Sequence, residues 1–65
     1  MTKRPFTEAR LLTVSEVADL LRVSRMTVYR LIKDGEMSAL RVGRSYRLRD
    51  DDVDDYLSRR YTEAG

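Results

Sequence analysis

Five arginines and one lysine, Arg25, Arg30, Lys33, Arg41, Arg44 and Arg47, occupy the middle of the chain, with Ser24, Met26, Thr27, Tyr29 and Ser45 spaced among them. Guanidinium groups bind phosphate oxygens and the acceptor edges of bases, and hydroxyl, aromatic and thioether side chains supply hydrogen bonds and apolar surface beside them. The chemistry on offer is therefore capture of a polyanion. The chain has no histidine and no cysteine, which removes imidazole catalysis, thiolate chemistry, disulfides and zinc-finger ligation together. The carboxylates, lysines, serines and tyrosines that remain have no visible orienting partner, so no catalytic residue, metal site or cofactor is expected.

The formal charge of +2 conceals a segregation. Residues 1–21 balance. Residues 22–49 carry eight basic side chains against Asp34 and Glu36, a net +6, and residues 50–65 carry six acids against Arg59 and Arg60, a net −4. A basic block of this kind is the electrostatic footprint of a nucleic-acid-binding face. At 65 residues one domain is expected, close to the lower size limit for a self-sufficient core and too small for a deep substrate pocket. No apolar run approaches the roughly 20 residues of a membrane span, and MTKRPFTEAR lacks the apolar middle of a secretory signal. No membrane partner and a cytoplasmic, nucleoid-associated location are the resulting expectations.

The elements that must position the cations can be read from caps and periodicity. Thr13 followed by Glu16 forms a capping box, with Leu12 placed to staple against Val17. Val14, Val17, Ala18, Leu20 and Leu21 continue from it as the apolar stripe of a first helix. Ser24 is the N-cap of a second helix that Gly35 stops, with only Arg22 and Val23 between the two. Two amphipathic helices joined so tightly read as a helix-turn-helix. At about 100° per residue, Val28, Leu31 and Ile32 share the inner face of the second helix. Met26, Arg30 and Lys33 then lie opposite, with Tyr29 and Thr27 on the flanks. Arg25 falls in the first turn, a poor place for a cation unless an anion binds there.

Beyond Gly35 the period changes to two. Leu40, Val42, Tyr46 and Leu48 alternate with Arg41, Arg47 and Arg49, which predicts a hairpin with one buried face. A three-residue loop, Gly43, Arg44 and Ser45, is expected, because it sets Val42 against Tyr46 and Leu40 against Leu48 on the inner side. Arg41 would then face Arg47 outside, an unfavourable pair that a polyanion would relieve. Asp50, Asp51 and Asp52 open a final helix whose residues Val53, Tyr56 and Leu57, with Arg60 or Tyr61, close the core. The domain is expected over residues 11–59, a loose arm over 1–10 whose Lys3 and Arg4 can reach a phosphate, and a tail over 60–65. Acidic final helix and basic hairpin together suggest head-to-tail self-association on a nucleic acid.

The stretches LLTVSEVADLLRVSRMTVYRLIKDGEM, LRVGRSYRL and DDVDDYL, in that order, closely resemble the excisionase-like, MerR-like winged helix-turn-helix domains of bacteria and their phages. The resemblance implies a mainly α fold with a small β-hairpin, in the order α-α-β-β-α. It also implies double-stranded DNA as the partner, with residues 24–33 in the major groove and residues 41–47 as a wing on the adjacent backbone or minor groove. Ser24, Arg25, Thr27, Tyr29, Arg30, Arg44 and Arg47 are the contact positions it carries over. The long dimerisation helix and effector site of MerR-type regulators have no counterpart here, so no small-molecule effector is expected. The resemblance extends equally to excisionases, which direct an integrase, and to BldC-like regulators, which bind repeated sites cooperatively. A module docking an integrase or another nucleoprotein partner through Met26, Tyr29 and Lys33 is the alternative expectation.

Overall fold

The positions of the helix caps set the boundaries of the structure. In the computed structural model, which describes Pro5 and residues 7–64 with the side chains of 61–64 excepted, β1 (Leu11–Thr13) runs directly into α1 (Val14–Leu21). Then follow α2 (Arg25–Lys33), β2 (Leu40–Val42), β3 (Ser45–Arg49) and α3 (Asp50–Ala64). The capping box forms as the sequence predicts: the Glu16 amide donates to Thr13 Oγ1 at 3.1 Å and the Thr13 amide to Glu16 Oε1 at 2.8 Å. That backbone hydrogen bond is the main reason the Glu16 carboxyl sits below its ordinary value of 4.5. Desolvation opposes it, and the Thr13 hydroxyl, Arg10 and Arg47 assist.

Each helix of the helix-turn-helix is closed at its C-terminal end by a left-handed residue. Gly35, at φ 79°, ends α2: its amide donates to the Ile32 carbonyl at 3.1 Å and that of Glu36 to Leu31 at 3.0 Å. This is a Schellman closure, and glycine adopts it without strain. α1 closes in the same way, with Arg22 donating to Asp19 and Val23 to Ala18, but the left-handed residue there is Arg22, at φ 59°. The expected helices and stop are thus in place, with a strained arginine between them.

The β part departs from expectation in two respects. First, Leu11–Thr13 is a strand: it pairs antiparallel with β3, Leu12 opposite Leu48, giving a three-stranded sheet in the order β1-β3-β2. Second, the hairpin loop has two residues, Gly43 and Arg44, and Ser45 is already in β3 opposite Val42. Gly43 takes φ 61° while Arg44 stays at negative φ, the arrangement of a type II′ turn, whose twist matches that of the flanking strands. Moving the register by one residue turns each side chain of β2 to the other face. Arg41 therefore faces Tyr46, and Leu40 faces Arg47. Arg41 and Arg47 lie on opposite faces rather than across from each other, and Val42, expected inside, is 47% exposed. The alternation in β2 misleads because this edge strand projects past the core, where burial no longer selects a face.

Leu12, Val14, Val17, Ala18, Val28, Met37, Leu48 and Val53 form the core, with Leu21, Leu31, Ile32, Tyr46 and Tyr56 packed against it. The inner face read for α2 is correct. Leu20 is not part of the core: at 59% exposure it stands outside α1. Met37, which follows the α2 stop, is buried in its place of least sequence signal.

α3 begins where β3 ends. The Asp50 amide donates to the Arg10 carbonyl at 3.0 Å, and the Asp50 carboxylate accepts from the Asp51 amide at 2.8 Å, so the acid run does start the helix. α3 reaches Ala64, beyond the tail expected from residue 60. Arg60 anchors this extension through Glu36 Oε1 at 3.1 Å and the Tyr56 hydroxyl at 3.2 Å, while Arg59 donates to the Glu36 carbonyl at 3.3 Å. Lys3 and Arg4 of the expected arm lie outside the described residues, as does the Tyr61 side chain. Pro5 O accepts from the Glu8 and Ala9 amides, both at 2.9 Å, so a turn stands where the arm was expected to be loose.

Candidate nucleic-acid interface

α2 is nine residues long and carries no acid in its first turn, so its positive end is offset by no side chain of its own. Ser24 caps it. Ser24 Oγ accepts from the Thr27 amide at 3.2 Å and lies 3.0 Å from Thr27 Oγ1, which commits both hydroxyls to starting the helix. Arg25, the next residue, is exposed beside the free amides of the first turn. Burial of Val28 and partial burial of Leu31 and Ile32 fix the rotation of the helix. Met26, Tyr29, Arg30 and Lys33 consequently stand outward, Met26 at 69% exposure and Tyr29 at 46%, and with Asp34 they line a shallow hollow on the helix surface.

The hairpin supplies a second basic surface. Arg44 is exposed at the turn. Arg41 is exposed on β2, with its Nε donating to the Gly43 carbonyl at 3.3 Å and its guanidinium 5.7 Å from the centre of the Tyr46 ring. Arg47 sits on the other face of the sheet, half-buried, between Thr13 and Leu40, and donates to its neighbour's carbonyl, Tyr46 O, at 3.1 Å. Ser45 is exposed on that same face. Of the predicted residues, Ser24 and Thr27 thus stand at the cap of α2, and the others fall into three places: Arg25, Met26, Tyr29, Arg30 and Lys33 on α2, Arg41 and Arg44 on the wing nearby, and Ser45 and Arg47 round the back of the sheet.

One residue joins the first two places. The Tyr46 ring lies 6.1 Å from that of Tyr29 at an interplanar angle of 60°, so the side of α2 that carries Tyr29 meets the hairpin through an aromatic pair. The sequence marked Tyr46 only as an inward strand residue. The signal that identifies it is the two-residue loop, which puts Arg41 opposite it. Among the described residues no group of three or more acids, cysteines or histidines is placed to hold a metal, and no helix is long and apolar enough to cross a membrane.

A tight two-helix unit, an Arg-bearing hairpin and a closing helix define the winged helix-turn-helix class. The chain belongs to the helix-turn-helix domain family: the family's model matches residues 11–61, from β1 almost to the end of α3. It is 55% identical over 58 residues to a Mycobacterium tuberculosis protein named "Putative DNA-binding protein", covering 89% of this chain and 74% of that one. It is 41% identical over 49 residues, 75% of this chain and 50% of the relative, to a Saccharopolyspora erythraea protein named "Probable excisionase". A Bacillus subtilis protein of uncharacterised function contains a segment 52% identical over 44 residues, 68% of this chain but 14% of that protein. The excisionase-like resemblance drawn from the sequence agrees with this family.

Proposed function

We propose that the chain binds double-stranded DNA sequence-specifically, with α2 in the major groove and the β2–β3 wing on the adjacent backbone. It acts as a small transcriptional regulator or as an excisionase. The observation that carries this reading is the joining of two exposed cationic surfaces, Arg25, Arg30 and Lys33 on α2 and Arg41 and Arg44 on the wing, through the Tyr29–Tyr46 contact. Membership of the family and the names of the Mycobacterium and Saccharopolyspora relatives support it. Under the excisionase reading an integrase is the protein partner. Cooperative head-to-tail binding to repeated sites, a nucleoid location and the absence of catalysis belong to the same proposal.

Mobility shifts on fragments of the native genome test it. Arg30→Ala removes a side chain aimed at base edges and should weaken the preferred site by about 1 to 3 kcal/mol while blurring sequence preference. Arg44→Ala should weaken all sequences alike. If neither substitution changes binding, both roles are wrong. The exposure of Met26 amid cations favours a second reading, in which the same face docks an integrase. A functional complex whose affinity is indifferent to salt would select that reading over DNA.

A further inference from the structure

We propose that Tyr46 is the positioning residue that fixes the wing against α2, and that through it Arg41 belongs to the part of the interface read by α2 rather than to the wing tip. The inference rests on the DNA-binding reading above. A protein that touches DNA with two elements reads a fixed separation between them, so something must hold their relative attitude. Here α2 packs chiefly on α1 and shares the core with the sheet through Val28 and Leu48, while β3 packs on α1, α3, β1 and β2. Outside that core, the ring pair that joins α2 to the hairpin is Tyr29 with Tyr46, at 6.1 Å.

The same ring also receives Arg41. The register sets Arg41 directly across from Tyr46, and its guanidinium lies 5.7 Å from the ring centre, while its Nε is tied back to the Gly43 carbonyl at 3.3 Å. Tyr46 thus touches a side chain of α2 and a cation of the wing at once. Tyr46 is half-buried and Tyr29 is 46% exposed, so the pair forms the floor between two basic surfaces rather than part of the core. An aromatic ring suits this post because it offers a broad, stiff face to a second ring and to a guanidinium together. Arg44, one turn position beyond Gly43, has no such tie to α2 and reaches the more distant backbone.

The test uses the full chain and two DNA duplexes, one selected from a random-sequence pool by the wild-type protein and one of unrelated sequence. Tyr46→Leu should weaken the selected duplex about tenfold, the combined worth of an aromatic pair and a cation–π contact. It should leave the unrelated duplex nearly unchanged, and Tyr46→Phe, which keeps the ring, should stay close to wild type on both. In phosphate-ethylation interference, Arg41→Gln should release phosphates bordering the bases read by α2, and Arg44→Gln phosphates farther out. If Tyr46→Leu melts below the assay temperature, Tyr46→Met fills the half-buried slot without a ring and carries the same expectation. Equal losses on the two duplexes, a Phe variant as weak as the Leu variant, or the same phosphates released by both arginine variants would overturn the coupling while leaving DNA binding intact. Failure of the wild-type chain to select any duplex would instead overturn the DNA-binding reading, and this inference with it.

Discussion

The sharpest consequence of the geometry is the salt dependence of DNA binding. Five cations are exposed on α2 and the wing, namely Arg25, Arg30, Lys33, Arg41 and Arg44, whereas Arg47 is half-buried and Arg49 lies against Asp51 at 3.8 Å. Arg30 is assigned to base edges, which leaves four of the five for phosphates; each neutralised phosphate steepens the fall of log affinity with log salt by about 0.9, so four predict a slope of about −3.6. Between 50 and 200 mM salt that is a loss of about 150-fold. Arg44→Ala, at the exposed turn and away from the core, should flatten the slope by about 0.9. Its effect on affinity should be about eightfold at 0.1 M salt and shrink to about twofold near 0.5 M. Fluorescence anisotropy of a labelled duplex titrated at five or so salt concentrations measures both quantities. A wild-type slope near −1, or an Arg44→Ala slope unchanged from wild type, would refute the assignment of these side chains to phosphates.

Three other outcomes follow from the fold. Leu48 is fully buried on the central strand against Leu12, so Leu48→Ala should cost about 2 to 5 kcal/mol, most of the stability of a domain this size. Leu20→Ala on the exposed side of α1 should change the thermal midpoint little, and a large loss there would put Leu20 back in the core. Arg22→Gly should stabilise the fold by up to about 1 kcal/mol, because glycine takes φ 59° without the side-chain clash; a urea midpoint that falls would refute strain at this turn. The lowered carboxyl of Glu16 contributes stability above its ordinary value that is lost as pH falls through the lowered one. Glu16→Gln can keep the capping box without titrating, so the gap in melting temperature between wild type and variant should narrow from neutral pH to about pH 3. A gap that stays constant would detach the shift from stability.

The helical part of the fold was legible because its signals are local. Thr13 with Glu16, Ser24, and Gly35 each act within one helical turn, and the inner face of α2 follows from the spacing of Val28, Leu31 and Ile32. The sheet was less legible because its determinants are not local. β1 is three residues whose partner strand lies on the far side of both helices, and no turn links the two. The loop length was misjudged by supposing that apolar residues of β2 must face the core. The left-handed preference of Gly43 settled the register instead, and Val42 was left half in water. That one-residue difference also moved Arg41 to the face that holds Tyr46, which is why the link between helix and wing could not be seen from spacing. The cations of α2 were placed correctly on its outer face because a helix, unlike an edge strand, has its rotation fixed by a buried stripe.

The charge segregation takes on a different meaning once the contacts are known. The net +6 of residues 22–49 overstates the surface available to an anion, because Arg49 turns inward to Asp51 and Arg47 is held under its own strand. It also understates it, because Glu36, one of the two acids in that block, is bound by Arg60 of α3 at 3.1 Å. Asp51 near the start of α3 therefore draws a cation away from the interface, and Arg60 nearer its C-terminal end binds the carboxylate of Glu36 just past α2. Exposed pairs of this sort add little to stability, since solvent screens them. Their larger effect is on the field: with Glu36 engaged by Arg60, Asp34 at the C-terminal end of α2 is the acid of the basic segment that stands beside Arg30 and Lys33. α3 thus shapes the charge of the interface without forming part of it. The acid-rich segment and the basic segment work as one arrangement, in which the closing helix engages Arg49 through Asp51 and Glu36 through Arg60, while the buried stripe of α2 sets which of its cations face outward.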